Sequence, residues 1–341
     1  MHATTSPSGS LLRRSVLMIA ALATLAVTPV LANSDVWKSE GWSTDFNKSS
    51  ISFSEILSGG PPKDGIPSID DPKFMAAKDI TNLGPLEPVI RLAINGDIRA
   101  YPLQVMTWHE IVNDQVGGTP VAVTYCPLCN SALVFDRNVD GKLLDFGTTG
   151  KLRNSDLVMY DRQTETWWQQ FTGTAIVGEF LDTELRMIPS RVESFERFQN
   201  ANPDARVLVP NTPGMRRYGT NPYVNYDSRA APYPLFQGSL PTDIGPMVRV
   251  IVVKDGNEPI ATTVTYLRQE SSIKLGSVEL TWESGQNSAL DSGDISQGRD
   301  VGNVAAYRIN ADGSRGDEVV HDVTFAFAFL AFHPEAKIVQ E

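Results

Sequence analysis

The chain has 341 residues, 41% hydrophobic and 20% charged, a balance that fits a folded core and excludes a disordered polymer. A formal net charge of −11 argues against nucleic-acid binding, because phosphates need a basic surface. Two cysteines are too few for a disulfide scaffold, so the fold must stand on its hydrophobic core.

In chain order, residues 1–32 come first and read differently from the rest. Arg13 and Arg14 precede an uncharged apolar run, 16–27, and Val30, Leu31 and Ala32 suit a cleavage site. This is the pattern of a signal peptide, and the run is too short for a membrane span. The expectation is an exported protein, periplasmic or secreted, with no stable membrane span after cleavage. Removing residues 1–32 deletes two arginines and no acids, taking the net charge from −11 to −13.

Residues 33–79 read as an irregular extension, with "SGGPPKDGIPSIDDP" (58–72) dense in turn formers. A first β-rich unit is expected over 80–209. Val89–Ile94 reads as a strand, Asn95-Gly96 as a hairpin turn and Ile98–Tyr101 as the return strand. Apolar spacing predicts a helix over Leu103–Val112, and a second helix over Val192–Asn200. Residues 210–246, rich in Pro, Gly, Tyr and Asn, read as an ordered connection rather than a flexible tether.

The stretch 247–341 reads as a shortened second unit. "VIVVKDGNEPIATTV" (250–264) again gives strand, turn at Asp255-Gly256 and strand. Asn130-Ser131-Ala132-Leu133 recurs as Asn287-Ser288-Ala289-Leu290, an offset of 157, and "NPDARVL" (202–208) resembles "HPEAKIV" (333–339), an offset of 131. Three echoes in one order predict a degenerate tandem duplication, whose second copy lost a segment like "DRQTETWWQQFTGTAIVGEF" (161–180). Under that alignment Glu283 and Gln286 stand opposite Cys126 and Cys129, so chemistry belongs to the first unit. The fold class expected is mainly antiparallel β with a few short helices, an α+β arrangement.

The chemistry-bearing motif is Cys126-Pro127-Leu128-Cys129, flanked by "VAVTY" and "SALVFD". In thioredoxin-like folds such a pair opens a helix, whose N-terminus lowers a thiol pKa. Here both flanks are strand-like; Pro127 presets a turn and Asn130 tolerates a left-handed backbone, so a knuckle between strands is expected. Such a knuckle aims two sulfurs at one point, which suits a redox pair, half of a metal site or a small disulfide staple. With no second C-x-x-C, a four-thiolate site is excluded.

His109, on the expected helix and beside Glu110, is the candidate base or thiolate partner for Cys126 and Cys129. The alternative is a copper or zinc site of Cys126, Cys129 and His109, with a fourth ligand from His333, Met159, a carboxylate or water. Lys151 and Arg153, after a Gly-Thr-Thr-Gly turn, are candidates for binding an anionic cofactor or substrate. Trp167, Trp168 and Phe171 are candidates for a pocket wall, and Arg216-Arg217 for an anion clamp. No Ser-His-Asp order, nucleotide-binding glycine loop or H-E-x-x-H motif occurs.

Together "RAYPLQVMTWHEIVND", "PVAVTYCPLCNSALVFDR", "LDFGTTGKLRNSDLVMYDRQTETWWQQFTGTAIVG" and "AFHPEA" resemble the domain-of-unknown-function family 3179 over nearly all of the chain after residue 32. Members are described as (seleno)proteins. That description implies selenocysteine at a position equivalent to Cys126 or Cys129, and favours redox chemistry there. The leading expectation is an exported thiol-redox protein with Cys126 attacking and Cys129 resolving, acting on a redox partner or small molecule. A non-enzymatic copper or zinc protein and an envelope binding module with a passive disulfide are the other two.

Overall fold

The computed structural model describes Met1, His2 and residues 34–255 and 258–341. The chain splits into two units, Met1–Leu31 and Ala32–Glu341. Residues 3–32 of the expected signal segment 1–32, and residue 256 of the expected turn at 255–256, lie outside the described residues; the architecture is that of the second unit. No helix among the described residues is long and apolar enough to cross a membrane.

The architecture is β-rich, with antiparallel sheets and short helices. Pro88–Ile94 and Asp97–Pro102 form the expected hairpin. Its turn places Asn95 at φ 50° and Gly96 at φ 80°, the left-handed pair that matches the twist of adjoining strands. Ser190–Ser194 adds antiparallel on one side, and Arg206–Val209 adds parallel on the other. The helix Leu103–His109 then leads into a second sheet, of order Met187–Ile188, Ser131–Asp136, Thr119–Cys126 and Ile111–Val116.

Residues 247–341 repeat this plan. His321–Phe325, Arg249–Asp255, Glu258–Thr263 and Ile338–Val339 pair antiparallel, antiparallel and parallel, as their counterparts do. The helix Val264–Glu270 leads into a sheet of Ser272–Leu275, Val278–Glu283, Asn303–Ile309 and Arg315–Glu318. Even the helix ends agree. Glu110 and Ser271 stop their helices at φ 59° and φ 63°, while Asn202 and His333 stop theirs at φ −143° and φ −134°.

The halves differ where the first carries chemistry. Between Ser131–Asp136 and Met187–Ile188 the first half inserts 137–186, which includes the segment 161–180. This insertion supplies four strands, Phe146–Arg153, Asp156–Asp161, Trp167–Gln169 and Ala175–Val177, of a five-stranded sheet. The second "NSAL" is not a strand. Residues 284–302 form a long excursion there, and it drives Ala289 and Leu290 into cores shared with the first half.

Three expected elements change. The helix from Leu103 stops at His109, because Ile111–Val116 pairs edge to edge with Thr119–Cys126. Residues 190–194 are a strand, and the second helix spans only Phe195–Ala201. The leading extension is built in: Ile56–Ser58 and Lys73–Ala76 join sheets, and Trp37, Trp42 and Phe46 surround Trp167. Each buried aromatic of that cluster stabilises by roughly 2–3 kcal/mol through burial alone.

Candidate functional site

The site begins at the turn between Thr119–Cys126 and Ser131–Asp136, where Cys126 pairs with Ser131. Asn130 sits at φ 55°, and its N–H donates to the Pro127 carbonyl at 3.2 Å. The knuckle is therefore as expected, with no helix opening at the cysteines. Its outward carbonyls are taken by distant elements. Tyr226 Oη donates to Leu128 O at 2.9 Å, while Thr324 Oγ1 donates to Cys129 O at 2.8 Å. Asn130 Nδ2 in turn donates to Val323 O at 2.7 Å. One turn thus binds the connection and the second half, and its backbone has little freedom to move alone.

Both cysteines are free thiols, with Cys126 2% and Cys129 0% exposed. Cys126 Sγ, Cys129 Sγ and a carboxylate oxygen of Asp156 lie within 4.8 Å of one another. Asp156 is not among the residues that the sequence singles out for this site. Asp156 opens the strand Asp156–Asp161 after the turn at Asn154-Ser155. Its Oδ2 accepts from Gln169 Nε2 at 2.6 Å and from the Phe171 N–H at 2.9 Å. Its Oδ1 is buried and accepts no hydrogen bond of good geometry. The signal available in the sequence was a lone acid at the mouth of a run, Leu157–Tyr160, apolar enough to be buried.

Burial without a countercharge disfavours every anion here. It raises the Cys126 thiol and lifts Cys129 well above the ordinary thiol value. It pushes Asp156 up to about 7, and Glu110 up to about 8 with help from the nearby Asp156 charge. Asp322, which accepts from the Ala132 N–H at 3.0 Å, is pushed up to about 6 by the same cause. The resting cluster at neutral pH is accordingly two thiols beside carboxyls on the edge of ionisation.

Glu110 reaches this region because its left-handed backbone turns the chain away from the helix axis. It lines a cavity of about 360 Å³ together with Leu128, Leu157, Tyr223 and Tyr233. A second cavity, of about 310 Å³, is lined by Phe171, His321, Asp322 and His333.

The other expected residues sit elsewhere. His109 donates from Nδ1 to Pro67 O at 2.7 Å and accepts at Nε2 from Tyr218 Oη at 2.9 Å. Burial lowers its pKa, so it is a neutral ring with both nitrogens engaged, and Asp156 stands against the sulfurs in its place. Lys151 pairs with Glu40 at 2.6 Å and Arg153 with Glu55 at 2.8 Å, so neither presents an unpaired cation. The Gly-Thr-Thr-Gly stretch is not a turn but a bulged part of the strand Phe146–Arg153. His333 packs against Phe329 and Phe171, outside the three-donor group. Trp167 and Trp168 are core; Phe171 does line a cavity.

The family profile described as "Protein of unknown function (DUF3179)" matches residues 63–336, nearly the whole chain. This chain is a DUF3179 protein. No curated protein and no solved structure matches it. The DUF3179 region takes in Glu110, both cysteines, Asp156 and Asp322, so the whole cluster lies inside the shared domain.

Proposed function

We propose that this DUF3179 protein is an exported dithiol redox protein in which Cys126 and Cys129 cycle between dithiol and disulfide, with Asp156 as the proton acceptor. The observation that carries the reading is the carboxylate of Asp156 within 4.8 Å of both sulfurs. Oxidation breaks two S–H bonds and forms one S–S bond; the two electrons and, in the end, both protons pass to a small-molecule disulfide, which leaves as two thiols. In a buried site the two protons need a local base, and Asp156 takes the first. Cys126 is the attacking thiol. Its sulfur meets the Ser155 carbonyl at 3.7 Å and the Asp156 carboxyl, whereas Cys129 is raised further by burial and by its hydrogen bond with Cys126.

Burial also restricts the electron acceptor. Cysteines only 2% and 0% exposed cannot attack, in line, a disulfide on another folded protein. A small molecule is the better acceptor, since the cavity lined by Glu110 is also lined by Leu128, the residue next to Cys129 in the knuckle. The apolar leader and an oxidising compartment fit such a cycle.

The test compares the rate at which reduced protein is oxidised by a small disulfide, followed by loss of alkylatable thiols. Asp156→Asn keeps the shape and removes the base, and is expected to slow oxidation at neutral pH about a hundredfold or more, the lower end for loss of a general base. An unchanged rate in a folded Asp156→Asn protein overturns the role given to the carboxylate.

A further inference from the structure

We infer that Cys126 Sγ, Cys129 Sγ and the Asp156 carboxylate also form a binding site for a single thiophilic closed-shell cation, of the Zn²⁺ or Cu⁺ type. Two sulfurs and one oxygen within 4.8 Å of one another, all buried, match the reach of three donors around one ion. A second observation points to a ligand independently. Asp156 Oδ1 is fully buried and accepts no hydrogen bond of good geometry, with the Cys126 thiol beside the carboxyl, although its sister Oδ2 is held by Gln169 and by the Phe171 N–H. That is how outer hydrogen bonds fix a ligating carboxylate: one oxygen is clamped and the other is left for the metal.

The knuckle supports the same conclusion. Its carbonyls are tied to Tyr226 and Thr324, so both thiols are held at their spacing before any ion arrives. The sulfurs select a soft or borderline cation and disfavour Ca²⁺ and Mg²⁺, which need a shell of oxygens. Binding displaces the protons of both thiols and of the carboxyl, and the ion then supplies the positive charge that this cluster lacks. His109 takes no part, since its two nitrogens are engaged with Pro67 and Tyr218.

This inference goes beyond the redox cycle and excludes it moment by moment, because a disulfide has no thiolates to offer. The experiment adds Zn²⁺, Cu⁺ or Co²⁺ anaerobically to reduced, metal-free protein, each against a chromophoric competitor, with thiols counted before and after. The expected result is one equivalent of Zn²⁺ or Cu⁺ bound and both thiols protected. The Co²⁺ form should show a sulfur-to-metal charge-transfer band. Asp156→Asn is expected to weaken binding at least tenfold, and His109→Gln to leave it unchanged. Should Asp156→Asn fail to fold, the Co²⁺ spectrum of the unaltered protein still reports thiolate ligation. No binding, binding without thiol protection, or full affinity in Asp156→Asn overturns the inference. Reversible disulfide formation in a protein that binds no metal leaves the redox reading standing, and metal binding in a protein that cannot be oxidised removes that reading alone.

Discussion

Asp156 is a carboxyl placed where water does not reach, and the fold carries that burden at neutral pH. Its pKa rises from 3.8 to about 7 on burial, so the folded protein binds a proton that the unfolded chain has released. A group raised in this way contributes most below pH 4, and its contribution is lost as pH climbs to about 7. Glu110, raised from 4.5 to about 8, acts in the same direction, as does Asp322, raised from 3.8 to about 6. The charged and titratable groups facing Asp156 are Cys126, Cys129, Glu110 and Asp322. Urea unfolding of reduced, metal-free protein should therefore show stability falling from pH 5 to pH 8. Asp156→Asn should flatten that slope and gain roughly 2 kcal/mol at pH 8 relative to the unaltered protein. A stability that rises across this range would contradict the burial argument. At this scale the cysteines were legible from spacing alone, and Asp156 was not. Its neighbours in space, Cys126 and Gln169, are 30 and 13 residues away; strand pairing brings Gln169 to it, but Cys126 comes from a different sheet packed against it. His109 misled for the converse reason: nearness in sequence to a strand that ends in Cys126 says nothing about where the ring points.

The knuckle is the element on which the site depends, and elements outside the first half hold it. Tyr226, fully buried in the connection, stacks on Tyr233 at 4.5 Å and donates its hydroxyl to Leu128 O. Asp227, its neighbour, anchors the same segment through Arg249 at 3.0 Å and Arg299 at 2.8 Å. Tyr226→Phe keeps the ring and removes the hydrogen bond, leaving a buried carbonyl without that donor. The expected cost is about 1–2 kcal/mol in chemical unfolding. Because Leu128 lies between the two cysteines, Cys129 should also be alkylated several-fold faster in the native state. An unchanged alkylation rate would show that the knuckle does not need this tie. The hairpin at Asn95-Gly96 and the knuckle itself could be read from turn chemistry, which is local. The end of the helix at His109 could not: Ile111 and Val112 keep helical spacing, and strand pairing with Thr119–Cys126 overrides it.

Across the whole molecule, one sheet-and-helix plan occurs twice, and the two occurrences meet at the cysteines. Phe325, Phe327 and Phe329 of the second half share a core with Cys126, Cys129, Leu133 and Phe135 of the first. The echo between "NPDARVL" and "HPEAKIV" reports that plan well, since both follow a helix end of the same backbone form. The echo between the two "NSAL" stretches does not, because one starts a strand and the other is a core-inserting excursion. Four identical residues cannot encode which of two long-range environments will receive them. The insertion 137–186 completes the site by delivering Asp156, and the second half has no counterpart between Asn303–Ile309 and Arg315–Glu318. The central claim is that this assembled cluster performs two-electron dithiol chemistry. Its most direct measurement is an anaerobic redox titration of the full chain, with thiols trapped by alkylation and counted by intact mass. We predict one reversible two-electron transition between two alkylated cysteines and none, with a midpoint between about −300 and −120 mV. Two cysteines that stay alkylatable at every potential, or a pair that stays oxidised below that range, would contradict it.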